Sequence, residues 1–220
     1  LPSAEDLENI LTSLEDNGYT HVIAITISSG LSGTFNSIRL ALEDHPKLIS
    51  HVFDTKILAM PEGIVAMEVA DLINSGKTFE EIVAAIPKIR KNITGYFTVN
   101  TLEYLKKGGR IGRIAGTIGD MLNLKPIVTV DENGIYYTVC KARGRKQSMT
   151  KLAGLLKDKL AEGPCKVWVL HGGVLEEAKM FLEALKNLDN ILSIDISQIS
   201  PALGVHGGPG LLGLAIQRVN

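Results

Sequence analysis

Cysteine is scarce in this chain of 220 residues: Cys140 and Cys165 are its two thiols, enough for neither a disulfide framework nor a four-ligand zinc site. Aromatic residues make up 5% of the sequence and do not accompany its basic runs, so stacking platforms for single-stranded nucleic acid are missing. Charge of one sign is missing too. The 23 basic and 24 acidic residues leave a formal net charge of −1, which offers no general attraction for nucleic acid or an anionic membrane. No apolar run approaches the roughly 18 to 20 residues of a membrane span, since residues 22–27 are short and residues 64–73 contain Glu68 and Asp71. A His-Glu-x-x-His pair, a Cys-x-x-Cys pair and a P-loop lysine are absent, and Gly30-Leu31-Ser32-Gly33 falls one residue short of a nucleophile elbow. A cytoplasmic protein with no metal and no cofactor is the expectation. The chain opens Leu1-Pro2-Ser3 without methionine, and residues 1–18 read as a capped amphipathic helix and not as a secretion signal, so an upstream segment is expected to be missing.

What is present, at 45% hydrophobic and 21% charged residues, is an ordinary globular pattern, and it alternates between strand and helix periods. Residues 21–27 form a β-branched run suited to a strand buried on both faces. A small-residue loop and a helix over 35–42 follow, then a strand over 48–53 and helices over 63–73 and 79–89. Such alternation predicts an α/β sheet. Beyond residue 92 the pattern changes: strands over 96–99 and 127–130 lead to Asp131-Glu132-Asn133-Gly134 and a strand over 135–140, where Asn-Gly marks a hairpin. A helix over 147–160, a strand over 166–170, a helix over 176–185 and a strand near 192–196 complete the chain. Two units are therefore expected, an N-terminal α/β domain over 1–92 and a C-terminal α/β domain with a mixed sheet over 93–220.

Three loops carry the chemistry. Ser28-Ser29-Gly30-Leu31-Ser32-Gly33-Thr34 lies between a buried strand and a helix start, where free N–H groups, the helix dipole and hydroxyl donors favour an anion. A purely structural part, with Ser32 capping the helix and the glycines making the turn, stays open. Lys106-Lys107-Gly108-Gly109-Arg110-Ile111-Gly112-Arg113 and Lys141-Ala142-Arg143-Gly144-Arg145-Lys146 are two basic runs that could converge on one anion or be solvated turns. In the third loop, residues 200–210, His206 stands among glycines as a candidate proton carrier or anion ligand, whereas His21 and His45 read as surface or capping residues. His171, at a strand end, could be either. The pattern offers anion binding more readily than covalent or metal catalysis.

These loops, in this order, resemble the DegV family of bacterial fatty-acid-binding proteins. The matching stretches are residues 27–34, Phe53-Asp54-Thr55-Lys56, residues 102–111, Leu124-Lys125-Pro126-Ile127, Lys141-Ala142-Arg143 and residues 199–210, which together extend over nearly the whole chain. The resemblance implies a two-domain DegV-like fold, with a parallel-sheet three-layer domain and a mixed-sheet α/β domain, and a long-chain fatty acid held between the two. It implies a lipid-binding subunit and not an enzyme. Such a subunit presents the carboxylate to a separate ATP-binding fatty acid kinase subunit, with no nucleic acid as partner. On that resemblance Ser28, Ser29, Ser32, Gly33 and Thr34 belong to the fatty-acid site, with Ser29 and Ser32 bonding the head group. Arg110, Arg143 and His206 would line the exit where phosphate or the partner arrives. Family members also carry a further strand and helix, with a Thr-Ser pair, ahead of the segment matching Leu1-Pro2-Ser3. Burying about fourteen methylenes at roughly 0.8 kcal/mol each gives about 11 kcal/mol, comparable with an association cost of roughly 4 to 15 kcal/mol, so head-group bonds are needed as well. The alternative is a stand-alone enzyme acting on a small phosphate ester with Arg110, Arg143 and His206 as its site.

Overall fold

The computed structural model describes residues 1–117 and 124–219. The chain opens with α1 (Ala4–Asp16), started by a capping box in which Ser3 and Asp6 bond each other's backbone N–H. β1 (His21–Thr26), α2 (Thr34–Ala41) and β2 (Ile49–Asp54) follow, and β1 and β2 pair in parallel as a two-stranded sheet. Side chains alternate across this sheet. Val22 and Val52 pack with Leu11, Leu42 and Leu48 under α1 and α2, while Ile23, Ile25 and Phe53 face a second core. Both faces of β1 are thus covered, as its unbroken apolar run requires.

α3 (Met60–Asn74) and α4 (Phe79–Lys91) supply that second core. Ile64, Val65 and Val69 of α3 and Ile82 and Ile86 of α4 are buried between the small sheet and a larger one, where they meet Ile93, Leu170 and Ala215. Asn92, where the division of the chain was expected, is the C-cap of α4. The core around α3 draws on residues from both sides of it.

The larger sheet has six strands in the order β5-β4-β3-β8-β6-β7, with β3 (Ile93–Thr98) and β8 (Leu212–Arg218) at its centre. β6 (Cys165–His171) and β7 (Ile191–Gln198) run parallel, and the remaining pairs are antiparallel. β4 (Leu124–Val130) and β5 (Tyr136–Arg143) form the expected hairpin. Its turn places Gly134 at φ +74°, and the Asp131 carboxylate accepts from Asn133 N–H (2.9 Å) and Ile135 N–H (3.0 Å). On the far face, α6 (Gly144–Ala161) and α7 (Leu175–Leu185) bury Leu152, Leu156, Phe181 and Leu185 against Val167, Val169 and Leu214.

Several expectations are corrected. Residues 200–210 are not an extended loop, because α8 (Pro201–Gly207) occupies most of them, with proline at the first helical turn where its missing N–H costs nothing. Part of the first basic run is helical, α5 (Glu103–Lys107), and the second run spans the end of β5 and the start of α6. His45 caps the short helical turn that follows α2, as one of its two expected roles had it, but it is buried at 5% exposure with Nε2 3.3 Å from the Glu8 carboxylate, so it is not a surface residue.

Candidate functional site

The loop after β1 is built by groups remote in sequence. Asp54, at the end of β2, accepts from the N–H of Ser29 (3.0 Å) and of Lys56 (3.1 Å). Lys56 Nζ returns to Asp54 (2.9 Å) and donates to Ser29 Oγ (3.1 Å). Burial alone would raise the Asp54 carboxyl, but these bonds from Lys56 and Ser29 outweigh it and hold it below its usual range. The Phe53-Asp54-Thr55-Lys56 motif is therefore a brace for the serine loop. Thr55, fully buried, donates to Thr26 O at 2.7 Å. Lys56 (φ +56°) and Ala59 (φ +59°) both sit in the left-handed half of backbone space, a local strain of the kind found beside ligand sites.

Ser28 locks the loop to the hairpin. Its Oγ donates to Gly134 O (2.8 Å) and accepts from Gly30 N–H (3.1 Å), and the residue is fully buried. Gly30 approaches so closely that a Cβ there would stand 2.8 Å from Asn133 O.

Beneath this loop, between the small sheet with α3 and the large sheet, lies a cavity of about 480 Å³. That size falls within the usual range for small-molecule sites. Its wall is largely aliphatic, with Ile27, Ile57, Leu105, Val130, Leu170 and Ile199 among its residues. The polar groups are Ser32, Thr34, Arg110 and His206, together with Thr129 and Tyr136. Ser32 Oγ and Thr34 Oγ1 are 2.9 Å apart. Arg110 is oriented by its Nε donating to Leu31 O (3.1 Å) and Nη1 donating to Gly108 O (2.7 Å), leaving Nη2 without a partner among the described residues. His206, on α8, rests on Gly108, where a Cβ would collide with its ring, and its buried Nδ1 has no partner among the described residues. Desolvation, then the Arg110 charge, pulls the imidazole below its ordinary value, which keeps it neutral at neutral pH.

Of the expected site residues, the structure brings Ser32, Thr34, Arg110 and His206 together at this cavity. Ser29 and Gly33 line a separate recess on its outer side. Ser28 lines neither, because its hydroxyl is consumed by the hairpin and Gly30. Arg143 does not converge with Arg110. It ends β5, an exposed residue seven positions beyond Tyr136, which at about 3.3 Å per residue puts it roughly 20 Å along the strand from the cavity wall. Tyr136 is a further polar residue of this site that no sequence motif marks. It is buried against Phe97, ring centroids 5.3 Å apart, and burial, offset in part by Arg110, drives its phenol well above the ordinary value, so it remains a neutral hydroxyl. Only its place after the Asn133-Gly134 turn could have signalled it. Among the described residues no cluster of His, Cys, Asp or Glu could hold a metal ion, and no helix is long and apolar enough to cross a membrane.

The fold and cavity define an α/β protein built around an apolar ligand chamber between two sheets. The family model described as "Uncharacterised protein, DegV family" matches residues 1–219. A DegV domain-containing protein of Clostridium acetobutylicum is 47% identical over 216 residues, covering 98% of this chain and 77% of that protein. Among solved structures, a fatty acid binding DegV family protein from Streptococcus agalactiae superposes with a TM-score of 0.90 at 30% identity, covering 100% of this chain and 77% of the other. A stearic acid-binding protein from Eubacterium ventriosum matches with a TM-score of 0.88 at 28% identity, covering 99% and 77%. The chain belongs to the DegV family.

Proposed function

We propose that this protein binds a long-chain fatty acid, with the tail in the aliphatic chamber and the carboxylate at Ser32, Thr34, Arg110 and His206. The observation that carries this reading is the chamber itself: about 480 Å³ of largely aliphatic wall with hydroxyl and guanidinium donors among its lining. A flexible aliphatic tail gains from each methylene it buries there, and charge-assisted bonds fix the head. Tyr136, held neutral, adds a hydroxyl donor beside Arg110. The fatty-acid-binding relatives support the same reading.

In the finer part of the proposal, the protein is the acyl-carrying subunit of a two-component fatty acid kinase. It holds the acid between the segments before and after residue 92 and presents the carboxylate to an ATP-binding partner, with Arg110 and His206 at the mouth and Arg143 on a separate partner-facing surface. Titration with a fluorescent long-chain fatty acid tests the binding. Wild type is expected to saturate at one ligand per chain, and Ser32→Ala and Thr34→Val to weaken binding by roughly 1 to 3 kcal/mol each. Unchanged affinity in both variants would place the carboxylate elsewhere. Reconstitution with an ATP-binding partner tests the rest, through loss of acyl-phosphate formation in Arg110→Ala even at fatty-acid concentrations that saturate the variant.

A further inference from the structure

A second cavity of about 500 Å³ lies beside the chamber, and Ile27, Ala59, Leu170, Ile199, Ala202 and Leu203 line both spaces. We propose that the two form one ligand path, in which Glu62 receives a hydroxyl carried at the far end of the chain of a long-chain fatty acid; the proposal rests on the fatty-acid reading of the chamber.

Three segments give the path its direction. On α8, His206 lines the chamber alone, Ala202 and Leu203 line both spaces, and the N-cap Ser200 lines the second cavity alone. From Ser200 to His206 the helix advances about 9 Å at roughly 1.5 Å per residue. The same order holds after β1, where Ser32 and Thr34 belong to the chamber, Ile27 to both and Ile25 to the second cavity. At the start of α3, Pro61 lines the chamber, Ala59 both spaces, and Glu62 and Gly63 the second cavity alone. A carboxylate held at Ser32, Thr34, Arg110 and His206 thus leaves its chain free to run past the shared residues toward Glu62.

Glu62 is otherwise unexplained. It is the one charged residue among the described residues that line the second cavity. β1 presents Ile25 and Ile27 there, α3 presents Met60 and Ala66, and the segment from β7 into α8 offers only the neutral Ser197, Gln198 and Ser200 as polar side chains. Glu62 has no hydrogen-bond or ion-pair partner among the described residues, and burial alone lifts its carboxyl to about 7. Half-buried polar groups in apolar surroundings are as a rule bonded to something. A hydroxyl suits this one in either state, since it accepts from the carboxyl and donates to the carboxylate. An ammonium group would serve only the ionised form and would have to shed its water to enter. The aliphatic residues shared by the two spaces take the methylenes in between.

Hexadecanoate, 16-hydroxyhexadecanoate and 3-hydroxyhexadecanoate, each titrated into wild type, Glu62→Leu and Glu62→Gln, test the path. Wild type is expected to prefer 16-hydroxyhexadecanoate to hexadecanoate by about fivefold or more, with no such gain for 3-hydroxyhexadecanoate, whose hydroxyl stays beside the head group. Glu62→Leu should reverse that preference, tightening hexadecanoate and weakening 16-hydroxyhexadecanoate by about tenfold. Glu62→Gln still donates and accepts and should keep the wild-type order. Hexadecanoate binding shows that each variant folds, and should Glu62→Leu not fold, the wild-type and Glu62→Gln ratios decide. Wild type that binds hexadecanoate without favouring the distal hydroxyl, or a preference that survives Glu62→Leu, overturns the path and leaves the fatty-acid reading in place. Wild type that binds none of the three acids overturns both.

Discussion

Ser28 and Ser32 are four residues apart in one hydroxyl-rich loop, yet their hydroxyls meet different worlds. Ser28 is sealed against Gly134, a residue 106 positions away, while Ser32 faces the chamber. The loop's anion-binding character was legible from its composition and from its place before a helix. Which serine serves the ligand was not, because a contact so distant in sequence decides it. Ser28→Ala is expected to lower stability by about 1 to 3 kcal/mol, since Gly134 O and Gly30 N–H both lose a buried partner. Chemical denaturation would show this as a lower midpoint at unchanged slope, and an unshifted midpoint would deny the latch. Glu62 gives a second prediction at this scale. Half-buried in a groove with Met60, Ala66 and Ile25, its carboxyl is raised by burial from 4.5 to about 7. Because the folded state then holds the proton more tightly than the unfolded one, the stabilisation is fully present below about pH 4.5 and is lost as pH rises through 7. Glu62→Gln should therefore gain on the wild type at pH 8 but not at pH 4.5, by on the order of 2 kcal/mol once solvent access through the groove is allowed for. Thermal unfolding at the two pH values checks the sign, and an equal offset at both would contradict it.

Among the elements, periodicity exposed the long helices and the strands flanked by clear turns. It failed where small residues dominate. β8, the strand between β3 and β6, carries no clear strand signature because its Gly213 and Ala215 weaken the pattern. The structure gives the reason for the glycine: a Cβ at Gly213 would stand 2.6 Å from Tyr96 O and 2.9 Å from the Phe97 Cβ. α8 was hidden in the same way, its proline and glycines reading as loop although Ser200 and Pro201 supply a helix start. The two basic runs looked alike in sequence, but the elements that carry them part company. Arg110 follows α5 and turns to the chamber, while Arg143 stands exposed where β5 passes into α6. Arg143→Ala is accordingly expected to leave fatty-acid affinity within about twofold of wild type. Isothermal titration would test it, and a tenfold loss would require Arg143 to reach the ligand after all.

The whole molecule is layered: α1 and α2, the small parallel sheet, α3 and α4, the six-stranded sheet, then α6 and α7. An α/β fold with a mixed sheet beyond residue 92 was legible from the change of pattern there, and the loop motifs pointed to the family. The chamber was not legible from periodicity, because it exists only where the serine loop, the end of β3, the hairpin and α8 come together across the full length of the chain. That closure is the physical basis of the central claim, that this fold holds a fatty acid. Native mass spectrometry of the protein purified from bacteria tests it most directly. The account predicts a co-purifying mass equal to one long-chain fatty acid per chain, released on denaturation. A chain that is consistently empty, and that takes up no long-chain fatty acid when one is supplied, would contradict it.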